Sequence, residues 1–189
     1  MSLFFIQTSF IEINEEKSRL NHISIEHWLE HDLFSLNWWI LFSATIIPYF
    51  VWWILVDKYR LFEIFSYGLL CACTSMLLDV IGTEMLLWAY PDKLLPWIPP
   101  LIPADFVIIP ITSMLVYQYC RSWKSFMLAN LGWATLFSYI IEPLFVMRGM
   151  FYLGHHWRHT YSLIGFFILG MLLKGLFELI KRKLPCEKY

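Results

Sequence analysis

Four of the five long apolar stretches in this chain meet a charge before they are long enough to cross a bilayer. Leu36–Val56 gives 21 neutral residues, whereas Ile64–Leu78 gives 15, Phe106–Cys120 gives 15, Ser125–Ile141 gives 17 and Thr160–Leu173 gives 14. A spanning helix needs about 20 residues. Asp79, Asp105, Glu142 and Lys174, which end or precede these stretches, are therefore drawn towards the hydrocarbon edge. Ionisable groups at that depth are costly and mark functional positions by default.

Composition sets the class. The chain is 59% hydrophobic and 15% charged, against about 25% charged residues in soluble domains. Aromatic residues make up 19%, as expected where Trp and Tyr anchor helices at membrane interfaces. The net charge of −1 gives no reason to expect a nucleic-acid partner. The four cysteines form no C-x-x-C or His/Cys zinc spacing and read as small apolar residues. The segment before Glu12 lacks a basic stretch and a small-residue cleavage site, so no cleaved signal peptide is expected.

The fold expected is all-α: a polytopic transmembrane helix bundle of about five spans with an amphipathic amino-terminal interfacial helix. Residues 1–35 form an acidic arm, 36–182 the bundle, and 183–189 a basic tail. In the arm, Ile25, Trp28, Leu29, Leu33 and Leu36 recur at helical spacing, with Ser24 as a candidate cap. A simple extension of the first span is the alternative. The spans expected are about 36–56, 61–82, 104–120, 125–147 and 160–180. Five prolines between Pro91 and Pro103 interrupt any helix between the second and third. With the amino terminus outside and the carboxy terminus cytoplasmic, eight basic residues face the cytoplasm and five face out, the sense of the positive-inside rule.

On that topology Asp79 is 19 residues beyond Arg60, Asp105 is 16 before Arg121, and Glu142 is 18 beyond Lys124. At 1.5 Å per residue all three carboxylates reach one outer shoulder, about 24–28 Å from the inner boundary. Asp105 also suits a helix amino-terminal turn. Lys174 reads as a snorkelling residue laddered with Glu178. Asp79 and Glu84 converge only if the helix loosens at Gly82. Pro143 frees the carbonyl of Tyr139 beside Glu142. Structural hydrogen bonding is the alternative role for Asp79 and Glu142. Arg148 and Arg158 are candidate ion-pair partners or a clamp for a lipid phosphate. His155 and His159 would share a helix face, as ligands of a divalent metal often do, although His and Arg in a short interfacial loop are more often solvated or paired with carboxylates. No cofactor is firmly implied.

The run Asp79-Val-Ile-Gly-Thr-Glu84, with Trp88-Ala-Tyr-Pro91, Ile98-Pro-Pro100, Pro103-Ala-Asp105, Tyr117-Gln-Tyr119, Trp123-Lys-Ser-Phe126 and Glu142-Pro143, resembles an uncharacterised family of small multispanning membrane proteins of spore-forming Gram-positive bacteria. The resemblance covers roughly Trp39 to Lys181. It implies a cell-membrane protein and supplies no activity or catalytic residues.

Three functional readings follow. The carboxylates, with Glu84, Arg148 and Arg158, bind or translocate a proton, a cation or a small basic molecule. Alternatively they only fix helix packing in a structural or accessory subunit. The third reading is a membrane-embedded enzyme acting on a lipid or isoprenoid headgroup. Membrane lipids are the expected partners, and a five-span carrier would need a homo-oligomer or a larger membrane complex.

Overall fold

The computed structural model describes residues 2–98 and 101–183. The expected basic tail lies outside them except for Lys183, as do Pro99 and Pro100 of the proline-rich loop. The described chain is about 80% helical. Three helices are long and apolar enough to cross a membrane: Leu36–Leu55, Lys58–Glu84 and His159–Lys183. The all-α, membrane-type expectation therefore holds at that coarser level.

Helix α1 covers Ser2–His27 and continues through a π-helical turn, Trp28–Asp32. The expected amphipathic helix thus begins far earlier, and Ser24 lies inside it rather than at its cap. The chain breaks at Phe34, whose φ of 60° ends helical geometry. Ser35 then caps α2 (Leu36–Leu55), its side chain accepting from the amide of Trp38 at 3.1 Å. At the far end, the side chain of Asp57 accepts from the amide of Tyr59 and tightens the turn into α3 (Leu61–Glu84).

Helix α3 remains regular through Gly82 and ends beyond it. Leu86 takes a φ of 56°, and the amide of Leu87 donates to the carbonyl of Gly82 at 2.9 Å. This left-handed closure satisfies the last carbonyls of the helix. The chain then enters β1 (Trp88–Ala89), which pairs antiparallel with β2 (Tyr152–Leu153) from the loop before the last helix. Gly154 is required at that junction, because a Cβ there would lie 2.4 Å from the carbonyl oxygen of Leu86.

Two prolines shape the next elements. A π-helical segment, Pro103–Ile108, runs directly into α4 (Ile109–Tyr119). Pro110 has no N–H for the carbonyl of Phe106, and the hydroxyl of Tyr49 from α2 donates to that oxygen at 3.2 Å. Helix α5 (Trp123–Leu136) likewise passes through a π-helical turn, Phe137–Ile141, into α6 (Glu142–Met147), which carries Pro143. Irregular turns of this kind are frequent at functional sites. They also divide the expected third and fourth spans into shorter regular pieces. Helix α7 (His159–Lys183) closes the fold and ends on Lys181, Arg182 and Lys183, which complement its dipole.

The main core lies among α2, α3, α4, α5 and α7. Tyr67 stacks on Tyr117 with ring centroids 4.5 Å apart, beside buried Ile64, Met114, Phe126 and Leu173. A smaller cluster of Leu41, Leu101 and Met150 underlies the proline-rich loop. Outside these, large apolar side chains cover the surface: Ile54 is 80% exposed and Leu172 64%. Such continuous apolar exposure suits a hydrocarbon environment.

Candidate functional site

Three elements deliver the site. Helix α3 brings Asp79, the π-helical segment before α4 brings Asp105, and the start of α6 brings Glu142. All three are buried, and all three line one cavity of about 390 Å³. The remaining wall is largely apolar and aromatic, with Trp88, Phe137, Phe145, Trp157, Phe166 and Leu169. Its volume is in the range of small-molecule sites.

The three carboxylates are held differently. Asp79 is enclosed by donors. The indole Nε1 of Trp88 lies 2.6 Å and the hydroxyl of Tyr90 2.7 Å from Oδ1, while the amide of Leu101 donates to Oδ2 at 3.3 Å. Glu142 faces His159 across 2.8 Å, from Oε2 to Nδ1. Asp105 is the exception. Its Oδ1 accepts from the hydroxyl of Ser75 at 2.5 Å, but its buried Oδ2 has no hydrogen-bond partner. Asp105 and Asp79 are close enough for their charges to interact. A buried carboxylate oxygen without a donor is a costly arrangement, relieved by a proton held between the adjoining Asp79 and Asp105 carboxyls or by a ligand group.

Local sequence explains the geometry. Gly82 sits one turn beyond Asp79 on α3, and a Cβ there would lie 1.9 Å from the ring of Trp88. Only glycine lets the indole lie against the helix and reach Asp79. The ring of Trp157 packs edge-on against Trp88 with centroids 4.8 Å apart, and its Nε1 donates to Ser162 at 3.0 Å. The β1–β2 pairing holds both loops in place.

Other expected site residues lie elsewhere. Glu84 is exposed at the end of α3, because the helix does not loosen at Gly82. Arg148 and Arg158 are exposed and form no ion pair with the carboxylates. His155 lies in an exposed turn and His159 begins α7, so the two do not share a helix face. Among the described residues, no group of three or more His, Cys, Asp or Glu side chains is placed to hold a metal ion. Lys174 is fully buried rather than snorkelling. Its Nζ donates to the carbonyls of Cys120 at 3.2 Å and Arg121 at 3.4 Å and lies 3.8 Å from Glu178.

Sequence reasoning missed the donors Ser75, Trp88 and Tyr90, while His159, a candidate metal ligand or carboxylate partner by sequence, pairs with Glu142. Trp88 and Tyr90 read as interfacial anchors. The only hint of their inward role was a glycine near Asp79, followed closely by a tryptophan. No protein-family model, curated protein or solved structure matches the chain.

Proposed function

We propose that the chain is an integral membrane protein that binds a small protonated base or organic cation in the carboxylate-lined cavity. The observation that carries this reading is the unpartnered Oδ2 of buried Asp105, beside Asp79, in a cavity walled by aromatic rings. A cationic nitrogen there would receive a carboxylate oxygen and aromatic faces together, an arrangement that favours organic ammonium groups. Asp79 already has three donors, so its part is to position the loop carrying Trp88 and Tyr90. That feature supports a structural role for Asp79, while Asp105 takes the ligand.

The wider setting is a cell-membrane protein of five spans with its amino terminus outside. The helical path through Pro103–Ile108 and α4, and through α5, the Phe137–Ile141 turn and α6, supports the two spans beyond the three regular ones. Kinship with the spore-former membrane family rests on the motif run from Asp79 to Pro143.

The test is calorimetric titration of the detergent-purified protein with protonated N,N-dimethylbenzylamine, whose N–H can donate to Asp105, and with its neutral carbon isostere, isobutylbenzene. Saturable binding of the cation alone, lost in Asp105→Asn with the fold intact, is expected. Equal binding of the neutral isostere, or full cation binding by Asp105→Asn, would overturn the reading.

A further inference from the structure

A second cavity lies at the other end of the bundle and has the opposite charge. Glu63 and Asp79 are 16 residues apart on α3, so the two sites are separated by about 24 Å. The cavity measures about 550 Å³ and is lined by Arg60, Arg121, Lys174, Lys181 and Arg182, with Glu63 and Glu178 as its acidic groups. Five positive charges against two leave a net charge of +3.

Those two carboxylates are already engaged. Glu63 receives Arg60 Nη2 at 3.0 Å, Lys181 Nζ at 2.8 Å and the hydroxyl of Tyr117 at 2.6 Å. Glu178 accepts from the indole of Trp123 at 3.1 Å and lies 3.8 Å from Lys174. Among the described residues the cationic excess is not neutralised. The guanidinium groups of Arg121 and Arg182 are exposed and make no hydrogen bond or ion pair among the described residues. Arg60 Nη1 is buried without a partner. The basic residues come from the turn before α3, the turn after α4 and the last turns of α7, so the fold gathers them from distant positions. Complementing helix ends explains the sign of the charge at α7. It does not explain a concave site or the orphaned guanidinium nitrogen.

We propose that this basic cavity binds a phosphate group, the chemistry shared by an anionic phospholipid headgroup and a free phosphate. Guanidinium groups match phosphate oxygens by paired donors, and their charge excess suits a ligand carrying one to three negative charges. Arg121 and Arg182 make the first contacts, and Arg60, with its Nη1 unpartnered, lines the cavity behind them.

The experiment is calorimetric titration of the full chain in a neutral detergent at low salt. The ligands are dihexanoylphosphatidylglycerol, dihexanoylphosphatidylcholine and inorganic phosphate. Saturable binding of the phosphatidylglycerol but not the phosphatidylcholine is expected, weakened roughly tenfold or more in Arg121→Gln/Arg182→Gln. Binding of inorganic phosphate as well assigns the site to phosphate itself, and binding of the phosphatidylglycerol alone assigns it to a lipid headgroup. Inorganic phosphate binding alone, lost in the double variant, also supports the proposal. Neither anion binding, equal binding of both lipids, or undiminished affinity in the double variant overturns it. If the double variant does not fold, the wild-type salt dependence decides: affinity unchanged at molar sodium chloride overturns the proposal.

Discussion

Trp88 donates its indole N–H to Asp79 across 2.6 Å, over the bare backbone of Gly82. The contact joins the end of α3 to the loop that covers the carboxylate cavity. It predicts that Gly82→Ala is badly tolerated, because a Cβ 1.9 Å from the indole forces the ring away. The expected cost is about 1–3 kcal/mol. Thermal unfolding in detergent should fall clearly below wild type, and an unchanged midpoint would mean that Trp88 is not held there.

Asp79 and Asp105 should respond oppositely to amide substitution. Asp79→Asn replaces an acceptor oxygen surrounded by donors and should lose about 1–3 kcal/mol of stability. Asp105→Asn changes a carboxylate with one unpartnered oxygen and should leave the unfolding midpoint equal or higher. Similar losses in both variants would sink the division of roles between them.

Tyr49→Phe removes the hydroxyl that caps the carbonyl of Phe106 opposite Pro110. Hydrogen bonds between membrane helices average about 0.6 kcal/mol, so a small loss of stability is expected. Hydrogen exchange at α4 should quicken. If it stays as slow as in wild type, the tyrosine is not what steadies the π-helical segment.

The amino-terminal arm should dock more tightly at acidic pH. Burial raises the Asp32 carboxyl above its ordinary value, while the amide of Lys93 and the charges of His27 and His31 pull it back. A carboxyl raised on folding stabilises the docked arm below its unfolded value near 4, and that stabilisation is lost as pH rises through the folded value. Burial correspondingly lowers the Lys93 ammonium. Fluorescence of Trp28, which donates to the carbonyl of Lys93 at 3.0 Å, reports the docking. A His27→Gln background should retain the pH dependence, and Asp32→Asn should flatten it; persistence in the latter points to another group.

What the sequence determined by itself was the chemistry available and its spacing along the helices. Apolar run lengths predict membrane helices, and three regular ones have the required length and composition. On the expected five-span topology, counting residues from each basic boundary brings Asp79, Asp105 and Glu142 to a common level, since helix rise is nearly constant. The three do line one cavity. Rotation about each helix axis was not legible, because it depends on packing against neighbours. That rotation leaves Glu84 outside the cavity and brings Ser75 to the carboxylates, while the loop before α7 leaves Arg148 and Arg158 exposed and presents His159 to Glu142. The tertiary structure alone also decided which carboxylate lacks a donor. Asp79 acquires Trp88 and Tyr90 because a left-handed residue at Leu86 folds the following loop back over Gly82. Asp105 receives the hydroxyl of Ser75 and lies against Asp79, with its Oδ2 outside any well-formed hydrogen bond. Hydrogen-bond partners distant in sequence are fixed only when the chain closes.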